Sequence, residues 1–394
     1  MADKRRYLVV TEKFPPRKGG SNLWFDEVYR RIGDKNTHIV TNDQPGAGEY
    51  DTAHPNTIHR LSLARRWWLR PESLFIYLKL LLKSLSLSWR HPFDAVHAGR
   101  VLSEGFVGWL VARLGGVPLV IYAHGEEITT WRQPTKFKVM RFVYRRADQI
   151  IANSEFTREE LLKLGVKSER IRVIFPGVDL GRFQPGLPST DLRQALSLSS
   201  ESKLILSVGR LSRRKGFDYI LQSLPLLMEK GLDIHYGIIG IGEDEDYLIA
   251  LARKLDVASR FHLLGHVSPE DLPRWYNAAD VFAMPNRAVN NDTEGFGMVF
   301  IEAAACGKPV IAGQAGGTGS AVIDNVTGLR VDGASLEAVG KALEQILEDE
   351  DLARQLGQNG RTRAVESFSW DEVARKTLLL DSGVVSSTHS VPLK

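Results

Sequence analysis

Apolar residues fall along the chain in two alternating patterns. Short unbroken runs are followed by longer stretches in which apolar positions return at three- and four-residue intervals. The runs read as buried strands and the stretches as helices packed against them. In the first half, residues 7–11, 93–98, 119–123 and 147–154 predict strands, with a helix over 22–32 and another capped at Ser154 or Thr157. Residues 173–179 close this half, and the Gly- and Pro-rich stretch 181–189 reads as an interdomain linker. The alternation then restarts. Strands are predicted at 204–209, 234–240, 260–264 and 281–284, and helices over 217–230 and 242–254. Such alternation builds parallel sheets, so the expected fold is α/β, with doubly wound domains.

Residues 291–319 stand out from this regular background. A helix is predicted from about Gly297, because Met298 to Cys306 is apolar apart from one acid. Gly307 is placed to end it and Pro309 prevents its continuation. Val310-Ile311-Ala312 is then short and apolar enough for a buried strand. The exception is Glu302, since a carboxylate in an apolar helix must be paired, hydrogen-bonded or facing a polar cleft. Glu294 stands in the loop that delivers the chain to the helix N-terminus. Free N–H groups and a partial positive charge there suit an anionic ligand.

A second unusual segment runs from Arg65 to Trp89. Arg65, Arg66, Trp67, Trp68 and Arg70 precede a leucine-rich helical stretch in which Lys79 and Lys83 share a face. Two readings fit it: a helix lying in an anionic membrane interface, or a core helix with two solvated lysines.

Composition narrows the class. The 394 residues suit two or three domains, and 43% hydrophobic with 25% charged residues is ordinary for a soluble globular protein. The net charge of +4 is compatible with an anionic substrate or membrane surface. Cys306 is the single cysteine, which rules out an internal disulfide and fits a reducing compartment. The N-terminus lacks an apolar signal-peptide core and no run has the length of a membrane span, so a cytoplasmic location is expected.

Glu294 and Glu302, set in Glu-Gly-Phe-Gly-Met-Val-Phe-Ile-Glu-Ala and followed by Gly-Lys-Pro-Val-Ile, resemble the E-x7-E signature of the retaining GT-B glycosyltransferases of family 4. The resemblance implies two Rossmann-like domains facing across a cleft. These would be an acceptor-side domain over 1–182, completed by a returning C-terminal helix at 369–381, and a nucleotide-sugar-binding domain over 183–368. Residues 382–394 are mostly polar and are expected to be disordered. It also implies roles. Glu302 would accept hydrogen bonds from the ribose, while Glu294 and the backbone of Phe296, Gly297, Met298 and Val299 would hold the sugar. Arg210 and Lys215, in Gly-Arg-Leu-Ser-Arg-Arg-Lys-Gly, match the family's phosphate-binding pair and leave Arg213 and Arg214 to solvent. Gly20 would join them at the diphosphate, since a glycine pair after a first strand lets backbone N–H groups approach anionic oxygens. His124, at the end of a predicted strand and followed by glycine, would sit beside the reacting sugar. Gly242, His266 and Val267 would lie on the donor side, and Gly19 and Asn153 on the acceptor side.

Other patterns weigh against rival chemistries. Asp244-Glu245-Asp246 contains an Asp-x-Asp, a metal-binding pattern in another glycosyltransferase fold, but it opens a helix, where acids complement the dipole. No metal and no cofactor are expected. Gly237-x-x-Gly240-x-Gly242 has the wrong order for a dinucleotide fingerprint. Gly316-Gly317-Thr318-Gly319-Ser320 stands where many relatives have Gly-Gly-x-Pro-Glu, which predicts a looser loop. The expected function is a metal-independent, retaining transfer of a hexosyl unit from a UDP-hexose or GDP-mannose to a glycan or lipid-linked hydroxyl, with no nucleic-acid partner. Glu294 as a covalent nucleophile stays open. The alternatives are a GT-B sugar-nucleotide epimerase and a non-catalytic sugar-nucleotide-binding protein.

Overall fold

The structure, a computed structural model, describes residues 5–16, 19–64 and 73–380. Among these, seven strands form one parallel sheet: β1 (Tyr7–Val10), β2 (His38–Asn42), β3 (Thr57–Leu61), β4 (Ala95–Ala98), β5 (Leu119–Ala123), β6 (Gln149–Ala152) and β7 (Ile171–Val173). Their order is β3-β2-β1-β4-β5-β6-β7. A second parallel sheet of six holds β8 (Lys203–Val208), β9 (Ile234–Ile239), β10 (Phe261–Gly265), β11 (Val281–Met284), β12 (Val310–Gly313) and β13 (Leu329–Val331), in the order β10-β9-β8-β11-β12-β13. The central strands are mostly apolar because helices cover both faces of each sheet, and every residue of β1, β4, β5, β9, β11 and β12 is buried, His97 and His235 included.

Strands β2 and β3 escape the apolar-run criterion for a physical reason. They carry His38, His59 and Arg60, and β3 is an edge strand whose residues are all half-buried. The helices Leu336–Glu348 and Glu350–Ser367 also lie outside the predicted elements.

In both sheets the strand order reverses beside the first strand, at β1/β4 and at β8/β11. Open α/β sheets bind ligands at the carboxyl ends of strands at such a reversal. One face of the first sheet is covered by the helix Gly20–Ile32, whose Trp24, Phe25, Val28 and Tyr29 pack with Trp370, Val373 and Ala374. The last helix, Trp370–Leu380, is therefore part of the first domain's core. The other face carries the helices Leu74–Arg90, Glu104–Gly115 and Pro134–Tyr144.

The chain crosses between domains twice, at adjacent points. Val178 N–H donates to the Phe368 carbonyl at 2.7 Å, and Phe175 stacks on Phe296 with ring centroids 5.7 Å apart. Residues 382–394 lie outside the described residues, as do residues 65–72 of the basic, Trp-containing segment. The described remainder of that segment is a core helix on its inner side, where Ile76, Leu80 and Leu87 are buried. No described helix is long and apolar enough to cross a membrane.

Candidate functional site

The loop after β11 carries Glu294 to the N-terminus of the helix Met298–Ala305. Gly297 caps that helix with φ +87° and no side-chain bond, which leaves its first N–H groups open. Opposite, the turn after β8 tightens into a single 3₁₀ turn over Arg213–Lys215, and this turns two of its cations inward. Lys215 Nζ lies 2.5 Å from Glu294 Oε2, and Arg214 Nη1 lies 3.0 Å from the same oxygen. Arg214 Nε also reaches Asp292 Oδ2 at 3.1 Å. Burial pushes the Glu294 carboxyl upward, but Lys215 and Arg214 outweigh it and hold the group down at about 2. Glu294 is thus ionised at neutral pH and fixes two cations in a buried position. Removing one member of such a cluster leaves its partners charged and unpaired.

The placement of Arg214 corrects the expectation that it is merely solvated. Arg210, expected to join Lys215 at the diphosphate, is exposed and bonds Glu243 through Nε at 3.0 Å. Arg213 leans outward over Tyr247 and bonds Asp244, which is consistent with a structural place for that acid. Glu302 is half-buried on the helix and accepts the Tyr276 hydroxyl at 2.8 Å. Burial raises its pKa, and the Tyr276 bond and Arg182 counter the rise.

The two domains meet at Glu294. A Cβ on Gly295 would lie 2.1 Å from the His124 carbonyl oxygen, so only glycine permits the approach of this loop to the end of β5. Gly20, at the start of the first helix, faces Met298: a Cβ there would lie 2.8 Å from the Met298 sulfur. Two helix N-termini therefore converge beside Glu294, both without a side-chain cap. The buried His124 ring lies edge-on to Trp24 and Phe25, and its Nε2–H donates to the Gly99 carbonyl at 2.9 Å. Burial lowers its pKa against the pull of Glu127, which keeps the ring neutral.

Other predicted positions have mixed places. Asn153 donates to the His124 carbonyl at 2.9 Å and accepts from Ser154 and Thr157, so its amide is taken up within the protein. Gly19 precedes the first helix, and its carbonyl accepts the Leu23 N–H at 3.1 Å. Gly242 packs on the Leu211 backbone, where a Cβ would come within 2.3 Å of the carbonyl. His266 is exposed and Val267 half-buried at the end of β10. Phe296 is buried against Phe175 and Phe368, so only its backbone is open to a ligand role, while Val299 is half-buried. The loop expected to be loose is anchored. Its short helix Thr318–Ala321 bonds the Gly313 carbonyl through Thr318, and Ser320 Oγ accepts the Glu155 N–H from the other domain at 3.0 Å.

The first domain adds a group of residues that the sequence pattern did not reveal. At the ends of β1, β4 and β5 stand Glu12, Arg100, Glu104 and Glu126. Glu12 N–H donates to Glu104 Oε1 at 3.0 Å, and Ser103 Oγ–H donates to Glu12. Arg100 pairs with Glu126 at 2.9 Å. Burial, with Glu12 beside it, raises the Glu104 carboxyl to about 7. The charge of Glu126 is felt by Arg214 across the cleft. The only sequence signal was the Glu126-Glu127 pair after His124-Gly125.

Comparison with known proteins shows the family. Residues 188–363 match the family described as Glycosyl transferases group 1, and residues 19–182 match Glycosyltransferase Family 4. Among curated proteins, the GDP-mannose-dependent alpha-(1-6)-phosphatidylinositol monomannoside mannosyltransferase of Mycolicibacterium smegmatis is 30% identical over 369 residues, covering 92% of this chain and 94% of that one. The D-inositol 3-phosphate glycosyltransferase of Xylanimonas cellulosilytica is 35% identical over 302 residues, 73% of this chain and 71% of that one. In fold, the chain is similar to Anabaena Alr3699/HepE, solved with UDP, with a TM-score of 0.81, 20% identity and coverage of 96% and 100%.

Proposed function

The chain belongs to the group 1 glycosyltransferases of family 4, GT-B in fold, and on that premise we propose that it transfers a mannosyl unit from GDP-mannose to a hydroxyl of a lipid-linked, inositol-containing acceptor. The glycosyltransferase activity follows from the family. The donor and acceptor are our reading, supported by full-length relatives named for GDP-mannose and phosphatidylinositol mannosides. GDP-mannose carries an α-linked sugar and these relatives are named for alpha linkages, which supports retention of configuration.

The observation that carries the reading is the Lys215–Glu294–Arg214 cluster at the point where the domains touch. A nucleoside diphosphate leaving group gains negative charge as the sugar bond breaks. Cations already fixed in a buried site stabilise that charge without reorganising, and they act without a metal. Glu294 serves as their internal counter-ion and offers its remaining oxygen to the sugar hydroxyls. The open N-termini at Gly20 and Met298 present backbone N–H groups to the diphosphate. Glu302 receives the ribose hydroxyls, with Tyr276 holding its carboxylate in place. Neutral His124 lines the sugar side, and the carboxylates Glu12 and Glu126 face the incoming polyol, with buried Glu104 bonded to the Glu12 backbone.

The base is tested by thermal shift with GDP, UDP and ADP. A ligand at 100 times its dissociation constant stabilises by about 2.7 kcal/mol, so GDP should raise Tm by a readily measured amount, and more than UDP or ADP at equal concentration. A shift with UDP alone would overturn the choice of donor.

A further inference from the structure

Arg363, near the end of the helix Glu350–Ser367, has no part in the site described above, yet it stands where three of its supports meet. Its Nη1–H donates to the Ala321 carbonyl at 2.5 Å, and its Nη2–H to the Ser320 carbonyl at 2.7 Å. The guanidinium carbon lies 4.7 Å from the centroid of the Phe368 ring. Burial alone lowers the group from 12.5 to about 10, so it keeps its charge at neutral pH with no acid beside it to oppose the shift. Among the described residues it has no carboxylate partner. A partly buried cation without a counter-ion costs free energy, which its bonds to carbonyl oxygens have to offset. Its simplest use would be to cap the helix Thr318–Ala321. That helix is a single turn of 4 residues, too short to add up an appreciable dipole. What the turn itself holds gives a fuller account.

The turn touches the catalytic loop on one side and the first domain on the other. Gly317 N–H donates to the Glu294 carbonyl at 2.8 Å. A Cβ on Gly316 would lie 2.2 Å from that carbonyl oxygen, and one on Gly317 would lie 1.9 Å from the Gly295 carbonyl oxygen. Backbone therefore packs directly on backbone beneath the Glu294 carboxylate. Ser320 Oγ accepts the N–H of Glu155, the first residue of the first-domain helix Glu155–Lys163. Gly316, Gly317 and Gly319 give the turn wide conformational freedom, so its shape has to be imposed from outside. Arg363 supplies that restraint from a firm base. The Phe368 ring under it lies edge-on to Phe175 and Phe296, and the Phe368 carbonyl accepts Val178 N–H, so both chain crossings meet there.

We infer that Arg363 is a positioning residue for Glu294: it clamps the turn of residues 316–321 onto the chain crossing, and the turn in turn holds the Glu294 backbone and the first-domain helix Glu155–Lys163. The inference rests on the reading of Glu294 as the counter-ion of the donor-binding cations. Arg363 touches neither substrate nor reacting atoms. It acts because the Glu294 carboxylate meets Lys215 and Arg214 at hydrogen-bonding distance, where a backbone shift of about 1 Å is enough to lose the contact. Without the clamp the glycine-rich turn moves, the Glu294 loop moves with it, and the two cations lose their fixed place.

The test combines amide hydrogen exchange on the full chain with transfer kinetics for Arg363→Met, Arg363→Lys, Ser320→Ala and the double variant Arg363→Met/Ser320→Ala. Arg361→Met is the control for lost stability, because Arg361 gives two bonds on the same helix to the carbonyls of Phe183 and Ala305, away from the turn. In Arg363→Met, peptides over 292–298 and 314–322 should exchange about tenfold faster or more, with β8 and β12 unchanged. Its kcat should fall by about 10- to 100-fold, while GDP affinity changes by less than about threefold. Arg363→Lys keeps the charge but not the two-pronged geometry, and should lie between. Adding Ser320→Ala to Arg363→Met should lower kcat no further, because the contact with Glu155 is already lost. Arg361→Met should lower Tm while leaving kcat and the exchange of both peptides within about threefold. Unchanged exchange or kcat in Arg363→Met would overturn the inference, as would an equal loss of kcat in Arg361→Met or additive losses in the double variant. If Arg363→Met does not fold, Arg363→Lys decides by the same readouts. A wild type that forms no mannosylated product from GDP-mannose refutes the proposed function, and the exchange pattern then decides the role of Arg363 by itself.

Discussion

The two domains share one architecture and divide the chemistry unequally. Both are parallel sheets with a reversal beside their first strand, and both present the carboxyl ends of their strands to the cleft. The second domain builds its charged centre from two short segments, 213–215 and 292–302, which supply Arg214, Lys215, Asp292, Glu294 and Glu302. The first domain assembles its side from the ends of three different strands, with Glu12 after β1, Arg100 and Glu104 after β4, and His124 and Glu126 after β5. Every family member must bind a nucleotide sugar, and a site built from contiguous residues keeps its geometry when surrounding loops vary. Acceptors differ, and a site drawn from separate loops is free to change one loop at a time.

The comparison breaks most directly at Lys215. Lys215→Ala should lower kcat by on the order of 100-fold or more, as expected for about 3 kcal/mol of lost transition-state stabilisation, with a much smaller change in donor affinity. Steady-state kinetics beside isothermal titration with GDP-mannose measures both, and an intact kcat would remove the cluster from the mechanism.

Next comes the contact between the domains. Gly295→Ala places a methyl group against the His124 carbonyl and forces the two halves apart. A misplacement of about 1 Å can cost about 100-fold in rate, so turnover should fall by up to that factor. GDP binding, most of whose contacts come from the second domain, should change by less than about threefold. A variant with normal kcat would mean that the halves work independently.

Stability follows. Trp370, almost fully buried, belongs by sequence to the end of the chain and by packing to the first domain. Trp370→Ala should cost about 3–5 kcal/mol, and it should lower the thermal transition of the first domain more than that of the second. Differential scanning calorimetry with and without GDP separates the two, since GDP protects the second domain. A loss confined to the second domain would contradict the interlock.

The smallest effect is on pH dependence. Burial, with His91 and Lys83 nearby, lowers His38 to about 4, and burial with Lys83 does the same to His59. The unfolded chain takes up these protons near the ordinary value of 6.5. The first domain should therefore lose stability as pH falls from about 6.5 to about 4 and level off below that range. The sequence His38→Gln/His59→Gln should flatten the decline measured by Tm at pH 7 and pH 5. An unchanged slope would show that these histidines are not its source.

The second domain was also the more legible one. Its central strands β8, β11 and β12 are dominated by apolar residues, and the spacing of Glu294 and Glu302 around an apolar helix lies on one stretch of sequence. Even there, four cations between Arg210 and Lys215 look alike as letters. The 3₁₀ turn after β8 turns Arg214 inward and leaves Arg210 paired outside with Glu243. The first domain hid more. Histidine and arginine side chains interrupt β2 and β3, and Glu12, Arg100 and Glu104 become neighbours only because β1 and β4 pair. Gly295 shows the limit well: its need to be glycine comes from a carbonyl in the other domain, which no local pattern records.

The central claim is that a buried cation–carboxylate cluster, with no metal, moves a mannosyl group with retention. It is tested by incubating the protein with GDP-mannose and phosphatidylinositol-based acceptor lipids in EDTA, then assigning the anomeric configuration of the product by NMR. The account predicts an α-mannosylated lipid formed at the same rate with and without EDTA. A β-linked product, activity restored only by Mn²⁺ or Mg²⁺, or an isomerised nucleotide sugar formed without acceptor would contradict it.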